Sequence, residues 1–106
     1  MAHYLVKANP QTERMEELQN RLKAGEFAHL KPFGEEVTYC LQHARRESDG
    51  RAVWEEEDYC VPPLDAERKA VLDQYFTEIG VKAVKEGEGW KKIKSLPPLF
   101  PALAVE

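Results

Sequence analysis

The sequence predicts an α+β fold: a four-stranded antiparallel sheet with two helices on one face, followed by a proline-rich C-terminal tail. Three observations predict it. Short runs of Val, Tyr, Leu and Trp recur at strand spacing, two longer stretches repeat apolar residues at helical spacing, and Gly, Pro and Ser-Asp-Gly punctuate the junctions. The resulting order is strand, helix, hairpin, helix, strand.

Residues 3–8 carry Tyr4, Leu5 and Val6 as a first strand, closed by Asn9-Pro10. That dipeptide reads as a helix start, because Asn caps free amides and Pro at the first helical position gives up no internal hydrogen bond. A helix over residues 10–24 then places Met15, Leu18 and Leu22 on one stripe, with Gly25 as its stop. Residues 26–34 hold Phe27, Leu30 and Phe33, too apolar for a free loop, and form a connector across an edge of the core. Residues 36–45 alternate Val37, Tyr39 and Leu41 against Thr38, Cys40 and Gln42, as a strand with one buried face does. Ser48-Asp49-Gly50 is a turn in which Gly50 takes the left-handed conformation, so residues 51–59 return as the partner strand of a hairpin. Val61-Pro62-Pro63 ends that strand, since proline donates nothing to a ladder. A second helix starts at residue 64 or 65, with Val71, Leu72, Tyr75, Phe76 and Ile79 on a wide apolar face and Gly80 at its end. Residues 81–85 form the last strand, Gly87-Glu88-Gly89 a turn, and residues 90–93 a further extended piece.

This order is the split arrangement termed ferredoxin-like, β-α-β-β-α-β, over residues 1–95 as a single domain, with residues 96–106 as the tail. With both helices on one face, the other face is bare unless a partner or ligand covers it. The tail, Leu96-Pro97-Pro98-Leu99-Phe100-Pro101-Ala102-Leu103, is apolar and suits neither regular element. It docks either on its own domain or on a second subunit.

At 106 residues, with 42% apolar and 32% charged side chains, the chain holds one small core under a heavily solvated surface. A net charge of -4 excludes a general nucleic-acid binder, which needs a basic face against phosphates. Lys82, Lys85, Lys91, Lys92 and Lys94 read as a solvated face and edge protection, or else complement acidic surface on a second subunit. No apolar run is long enough to span a bilayer and no signal-like segment opens the chain, so a cytoplasmic protein without membrane contact is expected. Two cysteines, too few to staple a secreted mini-domain, agree with that compartment.

The most informative stretch is Val53-Trp54-Glu55-Glu56-Glu57-Asp58-Tyr59-Cys60. Successive side chains on a strand point to opposite sides, so a carboxylate faces the core whichever side that is. Burying it unpaired costs several kcal/mol, and such a group takes a proton or a partner instead. Three outcomes are open: a bulge that turns consecutive acids the same way, an early strand end that leaves Asp58 in a loop, or a cleft in which the acids pair with Lys7, His43, Arg45 or Arg46. A three-residue loop pairs Glu47 with Arg51 and brings His43 opposite Glu55, Leu41 opposite Glu57 and Tyr39 opposite Tyr59. A two-residue loop sets His43 against Glu56. Either register yields a histidine–carboxylate contact, and a carboxylate beside an imidazole orients its ring for acid–base work. The candidate catalytic residues are therefore His43, Glu55, Glu56 and Glu57, and the candidate binding residues are Tyr39, Trp54, Asp58 and Tyr59.

No metal and no cofactor are expected. His3, His29, His43, Cys40, Cys60 and the acids share no zinc-motif spacing. Four adjacent acids also disfavour a nucleophilic thiolate at Cys40 or Cys60. Gly87-Glu88-Gly89 differs from a phosphate loop because its glutamate repels anions.

Through Tyr4-Leu5-Val6, the hairpin with Trp54-Glu55-Glu56-Glu57-Asp58-Tyr59-Cys60, and the closing Gly89-Trp90 and Leu96-Pro97, the chain looks like small uncharacterised bacterial proteins of ferredoxin-like type. Its layout up to about residue 93 resembles the dimeric α+β barrels, in which two open sheet faces pack together around a cavity. That resemblance implies a homodimer and a small-molecule ligand, and it assigns no catalytic residues. Three functions stand as expectations: a cytosolic homodimeric module binding a small ligand or a partner, a small cofactor-independent enzyme of proton transfer using His43 with Glu55, Glu56 or Glu57, and a structural accessory subunit joined through the tail.

Overall fold

The computed structural model describes residues 2–103, in which four strands form one open antiparallel sheet in the order β2-β3-β1-β4. β1 (Ala2–Pro10) lies between β3 (Ala52–Asp58) and β4 (Phe76–Val84), while β2 (Arg45–Arg46) adds two residues to the outer edge of β3. Side chains of β1 and β3 alternate between two cores as the pleat requires. Val6, Ala8, Ala52 and Trp54 face the larger core, and Leu5 and Val53 face a smaller one on the opposite side.

The larger core is closed by α1 (Met15–Lys23), α2 (Gly34–Gln42) and a helical segment built from α3 (Asp65–Glu67), a π-helical turn (Arg68–Leu72) and α4 (Asp73–Tyr75). Leu18 and Leu22 of α1 are buried there, and the helix ends as expected before Gly25, where the Glu26 N–H returns to the Arg21 carbonyl. Asn9-Pro10 does not start that helix. Both residues extend β1, pairing with Thr77 and Phe76 past an irregularity at Ala8, and a 3-10 turn at Thr12–Arg14 leads into α1.

The predicted strand over residues 36–45 is helix α2 as far as Gln42, and only Arg45 of it is strand. Val37, Cys40, Leu41 and Ala44 are buried at helical spacing, whereas Tyr39 is 53% exposed. Local alternation of β-branched and aromatic residues suggested a strand, and burial of the helical stripe prevails. The hairpin is thereby reduced to Arg45 and Arg46 pairing with Val53 and Ala52, the register of a three-residue loop, with the Glu47 N–H on the Arg51 carbonyl and Gly50 at φ 91°. The rest of the β3 edge is sealed by α2 side chains. The Cys40 thiol donates to the Glu55 carbonyl at 3.0 Å, and Glu36 Oε2 accepts the Glu57 N–H at 3.0 Å.

The second helix also ends earlier than expected. Phe76 is already extended and opens β4, so Gly80 sits within a strand instead of at a helix stop. Residues 90–93 belong to a helix, α5 (Glu88–Ile93), and not to an extended piece. Its Ile93, with Trp90 and Leu96, packs on Leu5 and Val53. The face expected to be bare thus carries apolar cover from the chain itself. The tail docks in cis through residue 103: Arg46 N–H binds the Pro97 carbonyl, Leu99 N–H the Ala44 carbonyl, and Phe100 is buried in the larger core. Lys82, Lys85, Lys91, Lys92 and Lys94 are all exposed. Among the described residues, no helix is long and apolar enough to cross a membrane.

Candidate functional site

The acidic run stays in regular strand through Asp58, without a bulge in its pairing to β1, so its carboxylates alternate across the sheet. Each meets a different environment. Glu55 faces the smaller core, where its carboxylate accepts the N–H groups of Gly87 at 2.8 Å, Gly89 at 2.7 Å and Trp90 at 3.1 Å, with His3 Nδ1 at 3.3 Å. Those amides are the otherwise unsatisfied donors at the start of α5. Gly89 is required by this approach, since a Cβ there would stand 2.9 Å from Glu55 Oε1. Glu57 points the same way, with Oε2 3.9 Å from His3 Nε2, beyond hydrogen-bonding reach.

Glu56 and Asp58 point to the larger core. Glu56 is fully buried and accepts the Trp54 Nε1–H at 2.9 Å. Burial pushes its pKa well above the usual carboxylate range, and the neighbouring charge of Glu67 adds to the rise against the pull of Trp54. Asp58 ends the strand and organises the turn that follows. Its Oδ2 accepts the Leu64 N–H at 2.6 Å and the Cys60 N–H at 3.0 Å. Burial works against ionisation here, but those amides and the Glu67 carboxyl hold its pKa below the ordinary value.

Glu67 closes this group from α3. It is buried, and burial followed by its contact with Asp58 raises its pKa to about 7. Cys60 Sγ lies 3.9 Å from Glu67 Oε1. The amide of Ala66 favours the Cys60 thiolate, but burial and the charges of Asp58 and Glu67 outweigh it and raise the thiol's pKa. As ionised groups, Glu56, Glu57 and Glu67 each keep one buried Oε2 without a hydrogen-bond donor. A proton between Glu56 and Glu67 is one way to relieve that; a cation is another.

The group opens into a cavity of about 260 Å³ lined by Glu36, Glu57, Asp58, Cys60 and Glu67, with Phe33 and Tyr59 as aromatic wall. None of its lining residues is Lys, Arg or His. A second cavity of about 270 Å³ lies across the β3 edge, lined by His3, Tyr39, Glu55, Glu57 and Trp90 among others.

The predicted residues are thus divided. Glu57, Asp58 and Tyr59 line the first cavity, and Tyr39, Glu55 and Glu57 the second. The His43 contact with the acidic run is not formed. His43 follows α2, its ring stacks on Tyr39 at 4.1 Å, and Nδ1 meets the Tyr39 carbonyl, because residues 36–42 are helix and the ladder begins only at Arg45. His3 is the histidine that reaches Glu55 and Glu57. Trp54 is a core residue, tilted against Phe76 at 5.3 Å.

Sequence reasoning did not single out Glu36 or Glu67, and it weighed His3 and Cys60 as metal ligands and set them aside. Glu67 carried a readable signal: it falls three residues after Leu64 and four before Val71, on the buried stripe of its helix. His3 carried none, since its place opposite Glu57 depends on the β1–β3 register. No protein-family model, curated protein or solved structure matches this chain.

Proposed function

We propose that the chain is a small cytosolic binding module whose ligand carries positive charge and sits in the cavity at the end of β3. One observation carries this reading: a cavity with four carboxylates and no basic residue in its lining, two of whose buried carboxylate oxygens, on Glu57 and Glu67, lack a donor. Gathering carboxylates with no lysine or arginine among them and only His3, 3.9 Å from Glu57, as a basic neighbour opposes folding when they ionise, and a cation would supply a partner. Phe33 and Tyr59 add aromatic surface, which favours cations near a ring face. Both cysteines are free thiols, which suits a reducing compartment.

The reading is tested by following backbone amide shifts of isotope-labelled protein at constant ionic strength. A small alkylammonium ion or a divalent metal ion shifts the amides of residues 57–60 and 66–67, and acetate does not. Shifts confined to other surfaces, or equal shifts with acetate, would remove it.

We also propose a variant of the ferredoxin-like arrangement and a homodimer. The strand order and antiparallel pairing support the first, with the second strand cut to two residues and α2 in its place. For the dimer, α5 removes the ground offered by a bare apolar face. The support is instead the outer edge of β4, nine residues long, with Val81 40% exposed and no strand beyond it among the described residues. Light scattering of the purified chain decides between one copy and two.

A further inference from the structure

Asp58, Cys60 and Glu67 each offer one donor atom, and those atoms all lie within 4.8 Å of one another. Clusters of acids are common, so the weight falls on a second observation. Glu67 is only 1% exposed, yet as an ionised group its Oε2 has no hydrogen-bond donor, and Glu56, fully buried beside it, has an Oε2 in the same position. Buried carboxylate oxygens are normally paired or bound to a metal.

We propose that Asp58, Cys60 and Glu67 form a three-donor site for a divalent transition-metal ion of the zinc or cobalt class, an inference that rests on the cation-binding reading of the same cavity. The donor set selects the metal. A thiolate with two carboxylates mixes soft and hard ligands, which suits Zn²⁺ or Co²⁺, whereas Mg²⁺ and Ca²⁺ take all-oxygen shells. The 3.9 Å from Cys60 Sγ to Glu67 Oε1 needs little closure to match donors about 2.0–2.3 Å from one ion.

The surroundings are those of a supported site. Asp58 is oriented by the Leu64 and Cys60 amides, and Glu56 stands behind Glu67, itself fixed by the Trp54 indole. Binding replaces the Cys60 S–H bond by an S–metal bond and releases that proton to solvent, together with any proton held on Glu67. Three protein donors leave a coordination position facing the cavity, open to water or to a further ligand.

The test adds Co²⁺ to the full chain after treatment with a chelator and dialysis. A thiolate-to-cobalt charge-transfer band appears in the near ultraviolet and is bleached by Zn²⁺. Cys60→Ser abolishes the band, and both it and Glu67→Gln weaken binding by at least the roughly tenfold to hundredfold that loss of an outer-shell partner costs. Cys40→Ala keeps the band, which guards against a variant that merely misfolds. A band that survives in Cys60→Ser, or is lost in Cys40→Ala with the fold intact by its amide spectrum, overturns the assignment. So does its absence at millimolar Co²⁺, which leaves a shared proton as the occupant. If the alkylammonium ion still shifts residues 57–60 in that case, the cation cavity stands and only the metal fails; if no cation does, both fail.

Discussion

Glu55 Oε1 accepts the backbone N–H of Gly89 at 2.7 Å, joining residues 34 positions apart and fastening α5 to the middle of the sheet. The buried carboxylate of Glu55 is therefore structural: it serves three amides that have no helical partner. Glu55→Ala leaves those donors unsatisfied and is expected to cost roughly 3 kcal/mol. Urea unfolding measures the loss, and hydrogen exchange should quicken first at residues 87–90. A change under half a kilocalorie would mean that the contact contributes nothing.

Gly89→Ala probes the same junction from the other side. The added Cβ meets Glu55 Oε1 at 2.9 Å, Glu55 Cβ at 3.1 Å and Leu5 Cδ1 at 3.2 Å, so the Glu55 carboxylate, its neighbours or α5 must shift. The expected cost is about 1–3 kcal/mol, although alanine ordinarily favours a helix over glycine. A stabilised variant would contradict the close approach.

The pH dependence of the metal-free protein follows from Glu67. Its pKa rises from 4.5 to about 7 in the fold, so between those values the folded chain holds a proton that the unfolded chain has lost. This contribution to stability is full below about pH 4.5 and fades as pH rises through 7. Glu56, also raised, carries the decline further. With chelator present, urea midpoints should fall across this range, and Glu67→Gln should flatten the first part. A midpoint that climbs with pH there would contradict the burial of this carboxyl.

The two thiols should separate under a disulfide reagent. Cys40 is buried, and burial followed by the charges of Glu56 and Glu36 raises its pKa well above the ordinary thiol value. Cys60 is partly exposed beside the cavity. One thiol should react in the native protein and the second only with unfolding; Cys60→Ser should remove the fast one.

Phe100 gives the tail its anchor in the larger core. Phe100→Ala should destabilise the whole domain by about 3 kcal/mol in a single transition. A mobile tail with unchanged stability would instead make residues 1–95 self-sufficient.

The sheet was legible where its pattern was local. β1 and β3 carry enough Val, Leu, Tyr and Trp between turn residues to be read directly, and Ser48-Asp49-Gly50 set the turn in one of the two registers considered. Residues 36–45 were not, because Val37, Thr38 and Tyr39 favour a strand while the buried set of Val37, Cys40, Leu41 and Ala44 fits a helix. Both periods coexist in those ten positions. Only the packing of that stripe beside β3, where Cys40 and Glu36 seal its edge, selects one.

The same division holds for the acidic run. That some of its carboxylates had to be buried was determined by the sequence alone, since alternation along a strand is a local, period-two property of the backbone. What pairs with each one, apart from the Trp54 indole that the same alternation places beside Glu56, was decided by tertiary structure. The amides on Glu55 come from residues 87–90, the companion of Asp58 and Cys60 from Glu67, and the nearest imidazole from His3 and not His43. Most of those partners arrive through strand register and helix docking, which depend on the whole core at once, and no pattern within the run itself records them.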